Sequence, residues 1–264
     1  MLNRSEDVMI GKIVMYGVVV AIVAVVLGYS LRLAKAPKSA ALRAGTIVGV
    51  AGLVLLAFGL VGGLFVAPTE RIMGDVYRIM FVHFPSWVGT AAGSLIAVSA
   101  SIASIKTRDQ GSDYVAVAGA EIGLLFNVTG LITGAFWGRP TWGVYWTWDP
   151  RLTTTAIMAI TFAGYLVLRA FIDDPEGRAR TSSLVAIVGF VNVPIVYFSV
   201  RWWRTLHQVQ SSPETIDPAM VWPLRGMMLA FLCLVIFMLT RRYLLARLRG
   251  EEEMEMVRLE VTGG

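Results

Sequence analysis

The sequence predicts an all-α fold, a polytopic integral membrane helix bundle with about seven transmembrane helices. Hydrophobic residues make up 56% of the 264 positions and charged residues only 16%, which is too apolar for a soluble domain of this length. Long uncharged runs recur along the chain, and about 20 apolar residues in a helix cross the ~30 Å core of a bilayer. The seven predicted spans are residues 13–31, 44–67, 86–105, 114–137, 152–168, 181–200 and 219–240.

The first and last predicted spans have unusual flanks. Glu6 and Asp7 precede the first run, where a cleavable signal peptide carries positive charge, so we expect this run to remain as a membrane helix. Arg225 interrupts the last run near its start. The predicted organisation is a six-helix membrane domain (44–249) with two additions. An extra N-terminal helix with a basic cytoplasmic linker (1–43) precedes it, and a charged cytoplasmic tail (250–264) follows it.

The distribution of lysine and arginine predicts the orientation. Fourteen of the twenty-three basic residues fall on one side if the linker before the second span is cytoplasmic, and five of them follow the last predicted span, within 241–258. Because short cytoplasmic flanks are enriched in basic residues, we expect the N-terminus outside and the C-terminus inside. The net charge of +5 follows from this arrangement, so we expect membrane lipid, and no nucleic acid, as the anionic partner.

The cysteine count and two missing motifs exclude several kinds of chemistry. Cys233 is the single cysteine, so the sequence predicts no internal disulfide. There is no Cys-x-x-Cys-His motif, which attaches heme covalently in c-type cytochromes, and no Gly-x-x-x-x-Gly-Lys-Ser/Thr loop for nucleotide phosphates. Any step driven by ATP would therefore need another subunit.

The two histidines and all eight tryptophans fall on the same predicted side. His83 and His207 lie near helix ends, in different outer loops. The tryptophans are Trp87, Trp137, Trp142, Trp146, Trp148, Trp202, Trp203 and Trp222. An aromatic belt anchors a membrane protein at both interfaces, so this asymmetry indicates that a flat, apolar molecule is held on the outer side.

A heme has the chemistry that these residues match. Its iron accepts two axial imidazoles on opposite faces, its ring favours aromatic contacts, and its propionates need cationic partners. We therefore expect His83 and His207 to be the axial ligands of a non-covalently bound heme b. Zinc is the competing metal, but it usually takes three or four protein ligands. Interfacial histidines that bond to water or backbone are the plain alternative.

The densest aromatic stretch is the loop 138–151. Its large aromatics are Trp142, Tyr145, Trp146 and Trp148. Together they could form an apolar platform in the outer leaflet, with a simple interfacial anchor as the alternative. Asp149 before Pro150 is typical of a helix N-cap with proline at the first helical position. A capped, rigid helix start would fix the platform above it.

This stretch resembles the tryptophan-rich WWD signature of heme-handling membrane proteins, and the chain from about residue 45 to 249 resembles the cytochrome c maturation protein C family, CcmC. Further matching stretches are 77–79 leading to His83, 133–138 (TGAFWG), 192–195 (NVPI), 199–203 (SVRWW) leading to His207, and 216–220 (IDPAM). Tyr145 stands where the signature often has tryptophan, and Pro150 where alanine is common. The family commonly has six spans, so the first helix is an addition.

The resemblance implies a function and a set of site residues. It implies a protein of the bacterial inner membrane that binds heme on the periplasmic side and transfers it for cytochrome c maturation. His83 and His207 match the family's axial ligands. The positions matching its heme platform are Trp142, Trp146, Trp148, Asp149 and Arg151. The implied partners are the heme chaperone CcmE, the ATP-binding CcmA, its membrane subunit CcmB and the small CcmD.

Three charged residues outside the signature are further candidates. Arg78 and Arg225 flank the histidine loops and are the first candidates for the heme propionates, with lipid phosphate as the alternative partner. Glu121 lies inside the fourth predicted span, where an ionisable group is costly and so indicates a function or a helix contact. The rival functions are a heme lyase, which would usually carry more spans and histidines, and a b-type redox carrier, which would stack histidines through the bilayer.

Overall fold

The computed structural model describes residues 24–30, 32–33, 36–207 and 216–263. In these ranges the chain is helical apart from short connections, and the described residues contain one isolated β-bridge, between Glu70 and Gly74, and no strand. Seven α-helices follow Pro37: α1 Lys38–Val61, α2 Met80–Thr107, α3 Gln110–Trp142, α4 Pro150–Ala170, α5 Pro175–Phe190, α6 Asn192–Trp202 and α7 Pro218–Gly263. A π-helix, Gly62–Val66, extends α1, and a 3-10 helix, Asp75–Ile79, leads into α2.

Six helical segments of the described chain are long and apolar enough to cross a membrane, and they confirm the second to seventh predicted spans. They are Lys38–Val66, Asp75–Thr107, Gln110–Trp142, Pro150–Ala170, Pro175–Trp202 and Pro218–Met256. The first predicted span, 13–31, lies mostly outside the described residues, although 24–30 are helical. The fold is therefore an all-α membrane bundle, as the sequence predicts.

Short polar caps begin three of the helices. The side chain of Asp109 accepts hydrogen bonds from two backbone N–H groups at the start of α3, and Asp174 accepts one at the start of α5. Asp149 caps α4 with Pro150 at the first helical position, so the predicted N-cap is confirmed. Gly143 ends α3 with φ of 82°, a left-handed conformation that residues with a side chain rarely adopt. These signals keep the connections short.

The sixth span, confirmed as the segment Pro175–Trp202, contains a turn that divides it into α5 and α6. The chain turns at Val191, between α5 and α6, and Pro194 stands in the first turn of α6, where its missing N–H group is tolerated. Asn192 begins α6, and its side-chain amide donates a hydrogen bond of 2.7 Å to the backbone oxygen of Thr154 in α4. This hydrogen bond joins α6 to α4, close to the aromatic stretch 138–151, which we call the WWD loop.

The pair α2 and α3 forms the centre of the bundle. A Cβ atom at Gly93 of α2 would lie only 2.4 Å from the backbone nitrogen of Gly123 in α3, so no larger residue fits at this crossing. The main buried cluster joins this pair to α7 on one side, and a second cluster joins it to α4, α5 and α6 on the other. Residues near the start of α2 and the end of α3 are thereby held rigidly together.

The opposite end of the bundle is tied by ion pairs. Arg169 of α4 donates two hydrogen bonds, of 2.7 and 2.6 Å, to the buried carboxylate of Asp113. Arg242 of α7 donates to both carboxylate oxygens of Glu121, so the costly group in the fourth predicted span has an ionic partner. The proposed tail boundary at residue 250 falls inside the continuous helix α7, where Glu251 pairs with Lys38.

Candidate functional site

His83 lies in the first turn of α2, where both nitrogens of its ring are in hydrogen bonds. The Trp87 indole N–H donates to Nε2 at 3.2 Å, and Nδ1 lies 3.0 Å from the Thr133 hydroxyl of α3. An indole nitrogen can only donate, so Nε2 is the acceptor and Nδ1 carries the hydrogen. Thr133 in turn donates to the backbone of α3, at 2.7 Å, which leaves its oxygen free to accept from Nδ1. The imidazole is therefore neutral and fixed in one tautomer.

Aromatic rings surround His83 on several sides. The rings of Trp87 and Trp137 meet it edge-on, with centroid distances of 6.3 and 5.6 Å, and Phe84 lies 6.1 Å away. Gly134 of α3 leaves room for the imidazole, because a Cβ atom there would lie 3.1 Å from its Cε1 atom. The histidine thus lies in a mostly apolar setting that weakens competition from water.

His207 lies in the loop after α6 and faces the WWD loop. Its Nδ1 atom is 3.3 Å from a carboxylate oxygen of Asp149, although this contact does not meet hydrogen-bond geometry, and Nδ1 has no hydrogen bond within the described part of the chain. The ring of Trp142 contacts the imidazole at a centroid distance of 4.7 Å and an interplanar angle of 66°. A carboxylate beside one ring nitrogen is typical of histidines whose other nitrogen binds a metal.

Asp149 joins the WWD loop to the His207 loop. One of its oxygens accepts from the backbone N–H of Arg151 at 2.9 Å, which caps α4. The other accepts from the Thr205 hydroxyl at 2.6 Å and from the Leu206 backbone at 2.8 Å. Burial raises the pKa of Asp149, but these hydrogen bonds outweigh burial and leave the pKa below its ordinary value. The ionised carboxylate therefore holds the two loops together at neutral pH.

His207 is neutral near pH 7. Burial lowers the pKa of this imidazole, and the neighbouring Asp149 carboxylate offsets only part of the effect, so the pKa stays below the ordinary 6.5. A neutral imidazole keeps a nitrogen lone pair for a metal. Both histidines therefore lie at the same end of the bundle as neutral imidazoles, and the lone pair of His83, on Nε2, accepts the indole N–H of Trp87.

Arg151 lies near both histidines. Its guanidinium stands 5.6 Å from the ring centroid of Trp87, the residue that bonds to His83. It is also close enough to act electrostatically on both imidazoles, and His83 and His207 are close enough to act on each other. The structure thus brings together the first turn of α2 and the loop after α6, so His83, which is predicted to lie in an outer loop, lies at a helix start instead.

The remaining aromatics of the WWD loop face outward. Trp148 has 82% of its surface exposed, and it meets the half-exposed Trp146 edge-on at 5.8 Å. Tyr145 is also exposed and packs against Phe136 of α3, with Arg139 over its ring at 5.7 Å. Trp142 packs inward on His207, so the four predicted platform residues divide into one inner and three outer aromatics.

The two arginines that the sequence ranks first for propionates differ in their surroundings. Arg78 donates to the backbone oxygens of Gly63 and Ala67 at 2.6 and 3.1 Å and pairs with Asp75, so its guanidinium fastens the chain between α1 and α2. Arg225 is exposed near the start of α7 and has no hydrogen bond or ion pair within the described ranges. Of the two, Arg225 is the one available to an anionic ligand.

Comparisons with known proteins show which family the chain belongs to. The sequence profile of heme exporter protein C matches residues 30–258. The chain belongs to the heme exporter protein C family. A member from Bradyrhizobium diazoefficiens is 37% identical over 194 residues, covering 72% of this chain and 73% of its own. Members from Haemophilus influenzae and Escherichia coli K12 are 36% and 33% identical, covering 78% and 71% of this chain and 85% and 77% of their own.

The family match includes every predicted site residue, because all of them lie between positions 78 and 225.

The donor set of the site suits heme better than zinc. Residues 24–30, 32–33, 36–207 and 216–263 contain no group of three or more histidine, cysteine or acidic side chains arranged for a metal ion. Two neutral imidazoles with aromatic neighbours instead match the axial ligation and the apolar ring of a heme.

Several contacts of the site were not predicted from the sequence. Trp87 follows His83 by four positions on α2, and this helical spacing could have identified it as a partner. The contact of Thr133 with His83 and that of Thr205 with Asp149 join residues 50 and 56 positions apart. A single sequence contains no local pattern that links residues so distant, so only the packed structure reveals these two.

Proposed function

We propose that this protein binds heme b non-covalently between His83 and His207 and transfers it onward for cytochrome c maturation. Membership of the heme exporter protein C family supports a role in heme handling, and the family name indicates transport or transfer rather than catalysis. The heme is cargo in this proposal. Its transfer requires a site that binds it well enough to collect it and loosely enough to release it.

One observation carries the proposal: both histidines present the same nitrogen for ligation. The Nδ1 atom of His83 lies against the Thr133 hydroxyl at 3.0 Å, and that of His207 lies against the Asp149 carboxylate at 3.3 Å. In each ring Nε2 is therefore the nitrogen that would bind the iron, and in His83 this atom accepts the indole N–H of Trp87 in the structure. An oxygen beside the other ring nitrogen orients a ligating imidazole and raises its basicity.

The WWD loop supplies the aromatic surface of the proposed site. Trp142 supports the His207 ring from the inside, and the exposed rings of Trp146 and Trp148 extend the surface outward. Tyr145 retains an aromatic ring at the position where the signature often has tryptophan. Because these outer rings are not covered by the described chain, they suit a face on which heme is shown to a partner.

The charged residues complete the proposal. Arg225 has no partner within the described ranges and is our first candidate for a heme propionate, whereas Arg78 would have to give up bonds to the backbone to serve in this role. Arg151 lies near both histidines, where its positive charge favours an anionic ligand. Asp149 would not touch the heme; its carboxylate, beside Nδ1 of His207, would orient that imidazole toward the iron.

The proposed location is the bacterial inner membrane, with the site on the periplasmic side. The excess of basic residues at the opposite end supports this orientation. A periplasm-active reporter inserted within residues 141–147 should be active, and one fused after Gly250 should be silent. The reverse pattern would overturn the orientation. The proposed partners on these two sides are the chaperone CcmE outside and the ATP-binding CcmA inside, with CcmB and CcmD in the membrane.

Purification of the full chain with its cargo tests the proposal. The protein extracted from heme-replete membranes should show the absorption bands of a six-coordinate b-type heme, and acidified solvent should remove all of that heme. Purified chaperone added to it should then gain heme as the bands of the donor decline. A chain that stays free of heme even after incubation with hemin would contradict the proposal.

A further inference from the structure

We propose that Trp87 controls the release of heme by competing with the iron for one lone pair of His83. The inference rests on the proposed function, in which Nε2 of His83 ligates the iron. In the structure this same atom accepts the indole N–H of Trp87 at 3.2 Å. A nitrogen lone pair serves one partner at a time, so ligation of iron and the bond to Trp87 exclude each other.

The imidazole cannot offer another nitrogen to the iron while it keeps its place. Its Nδ1–H is held by the Thr133 hydroxyl of α3, and that hydroxyl is itself bonded to the backbone of its own helix. Rotation of the ring would break this contact and would point an N–H group at the iron. Trp87 is therefore the partner that has to move when heme binds, and it can return to Nε2 when heme leaves.

The position of Trp87 keeps its indole N–H within reach of Nε2 when heme leaves. It lies four residues after His83 on α2, so the two side chains are neighbours on one face of a rigid helix. Its ring is also in contact with Arg151, which stands 5.6 Å from the ring centroid in the first turn of α4. A displaced Trp87 would therefore disturb Arg151, two residues from the Asp149 carboxylate that orients His207.

Trp137 provides a matched comparison within the same structure. Its ring meets His83 edge-on at 5.6 Å, against 6.3 Å for Trp87. Its indole nitrogen is buried and has no hydrogen-bond partner within the described chain. Both tryptophans thus surround the imidazole, but only Trp87 occupies the ligating nitrogen.

The test measures heme release from the full-length protein in detergent, with an excess of a heme-scavenging apoprotein as the acceptor. A neutral hydrogen bond to a competing donor is expected to alter ligand affinity by about threefold to tenfold. Trp87→Phe, which removes the N–H and keeps a ring, should slow release by about that factor while the bis-histidine spectrum persists. Trp137→Phe should not slow release. If Trp87→Phe fails to fold, Trp87→Leu replaces it with the same expected direction.

Two outcomes would overturn the inference, and they are distinguishable. If His83→Ala changes the heme spectrum but Trp87→Phe releases heme as fast as the unaltered protein, or faster, the proposed function stands and the competition is wrong. If His83→Ala leaves the spectrum unchanged, His83 is not a ligand, and the ligand assignment and the competition both fall.

Discussion

The two ends of the bundle use polar side chains in opposite ways. At one end, which we call the arginine end, the carboxylates of Asp113 and Glu121 are each bound by an arginine from another helix. At the histidine end, formed by His83, His207 and the segment 138–151 from the end of α3 to the start of α4, polar groups contact two neutral imidazoles, and large aromatic rings remain exposed. Charge pairing fastens the helices at the arginine end, while the histidine end presents the imidazoles and exposed rings that we propose bind heme.

Breaking the arginine end should give the largest effect on stability. The side chains of Asp113 and Arg169 are only 3% and 12% exposed, so removing one partner leaves a buried charge unpaired. Asp113→Ala should lower the free energy of unfolding by about 3 to 5 kcal/mol. Thermal unfolding in detergent measures the loss. The heme spectrum of the folded fraction should be unchanged, because Asp113 and Thr133 are separated by about 30 Å along α3.

A surface ion pair at the same end provides the control. Lys38 and Glu251 pair with side chains that are 43% and 41% exposed, and Glu251→Ala should cost no more than about 1 kcal/mol. A loss at Asp113→Ala as small as that at Glu251→Ala would contradict the structural role of the buried pair. A changed heme spectrum in folded Asp113→Ala protein would show that the histidine end depends on the arginine end.

Altering the outer aromatics of the histidine end should give a smaller effect, confined to transfer. Trp146 and Trp148 are exposed, so replacing both by alanine should leave stability nearly unchanged. Stacking on an aromatic ring contributes on the order of 1 to 3 kcal/mol per contact, whereas two coordinate bonds still hold the iron. The double variant should therefore retain heme and load less of it onto the chaperone in the same cells.

Trp202→Ala is the matched control for this prediction. Trp202 is also exposed at the histidine end, but it stacks on Phe198 at a centroid distance of 5.2 Å and lies outside the WWD loop. Its replacement should leave chaperone loading nearly normal. Normal loading from the Trp146 and Trp148 double variant would instead assign the WWD aromatics to interfacial anchoring.

The sequence predicts the fold better than it predicts the contacts of the site. Six spans follow from hydrophobicity, and the cap at Asp149 follows from its place before Pro150, because both signals are local. The turn at Val191 was missed, since the apolar run continues through it without interruption. The second role of Asp149, holding Thr205 and Leu206, depends on two loops that meet only after the helices pack.

Arg78 has partners that its position in the sequence does not predict. Its place before His83 favoured a propionate contact, but its guanidinium bonds to backbone oxygens at the end of the π-helix and to Asp75. A helix end leaves carbonyl groups without partners, and an arginine nearby can satisfy them. The contact of Arg78 with a propionate stays a prediction, and Arg225 now ranks above it.

Chemical rescue of the two histidines tests the central claim most directly. His83→Gly and His207→Gly each remove one proposed ligand, and the purified variants should lose the six-coordinate spectrum of bound heme. Added imidazole should enter the vacated space and restore that spectrum in each variant, because it supplies the missing nitrogen donor. Variants that keep the original spectrum without imidazole would contradict ligation by His83 and His207.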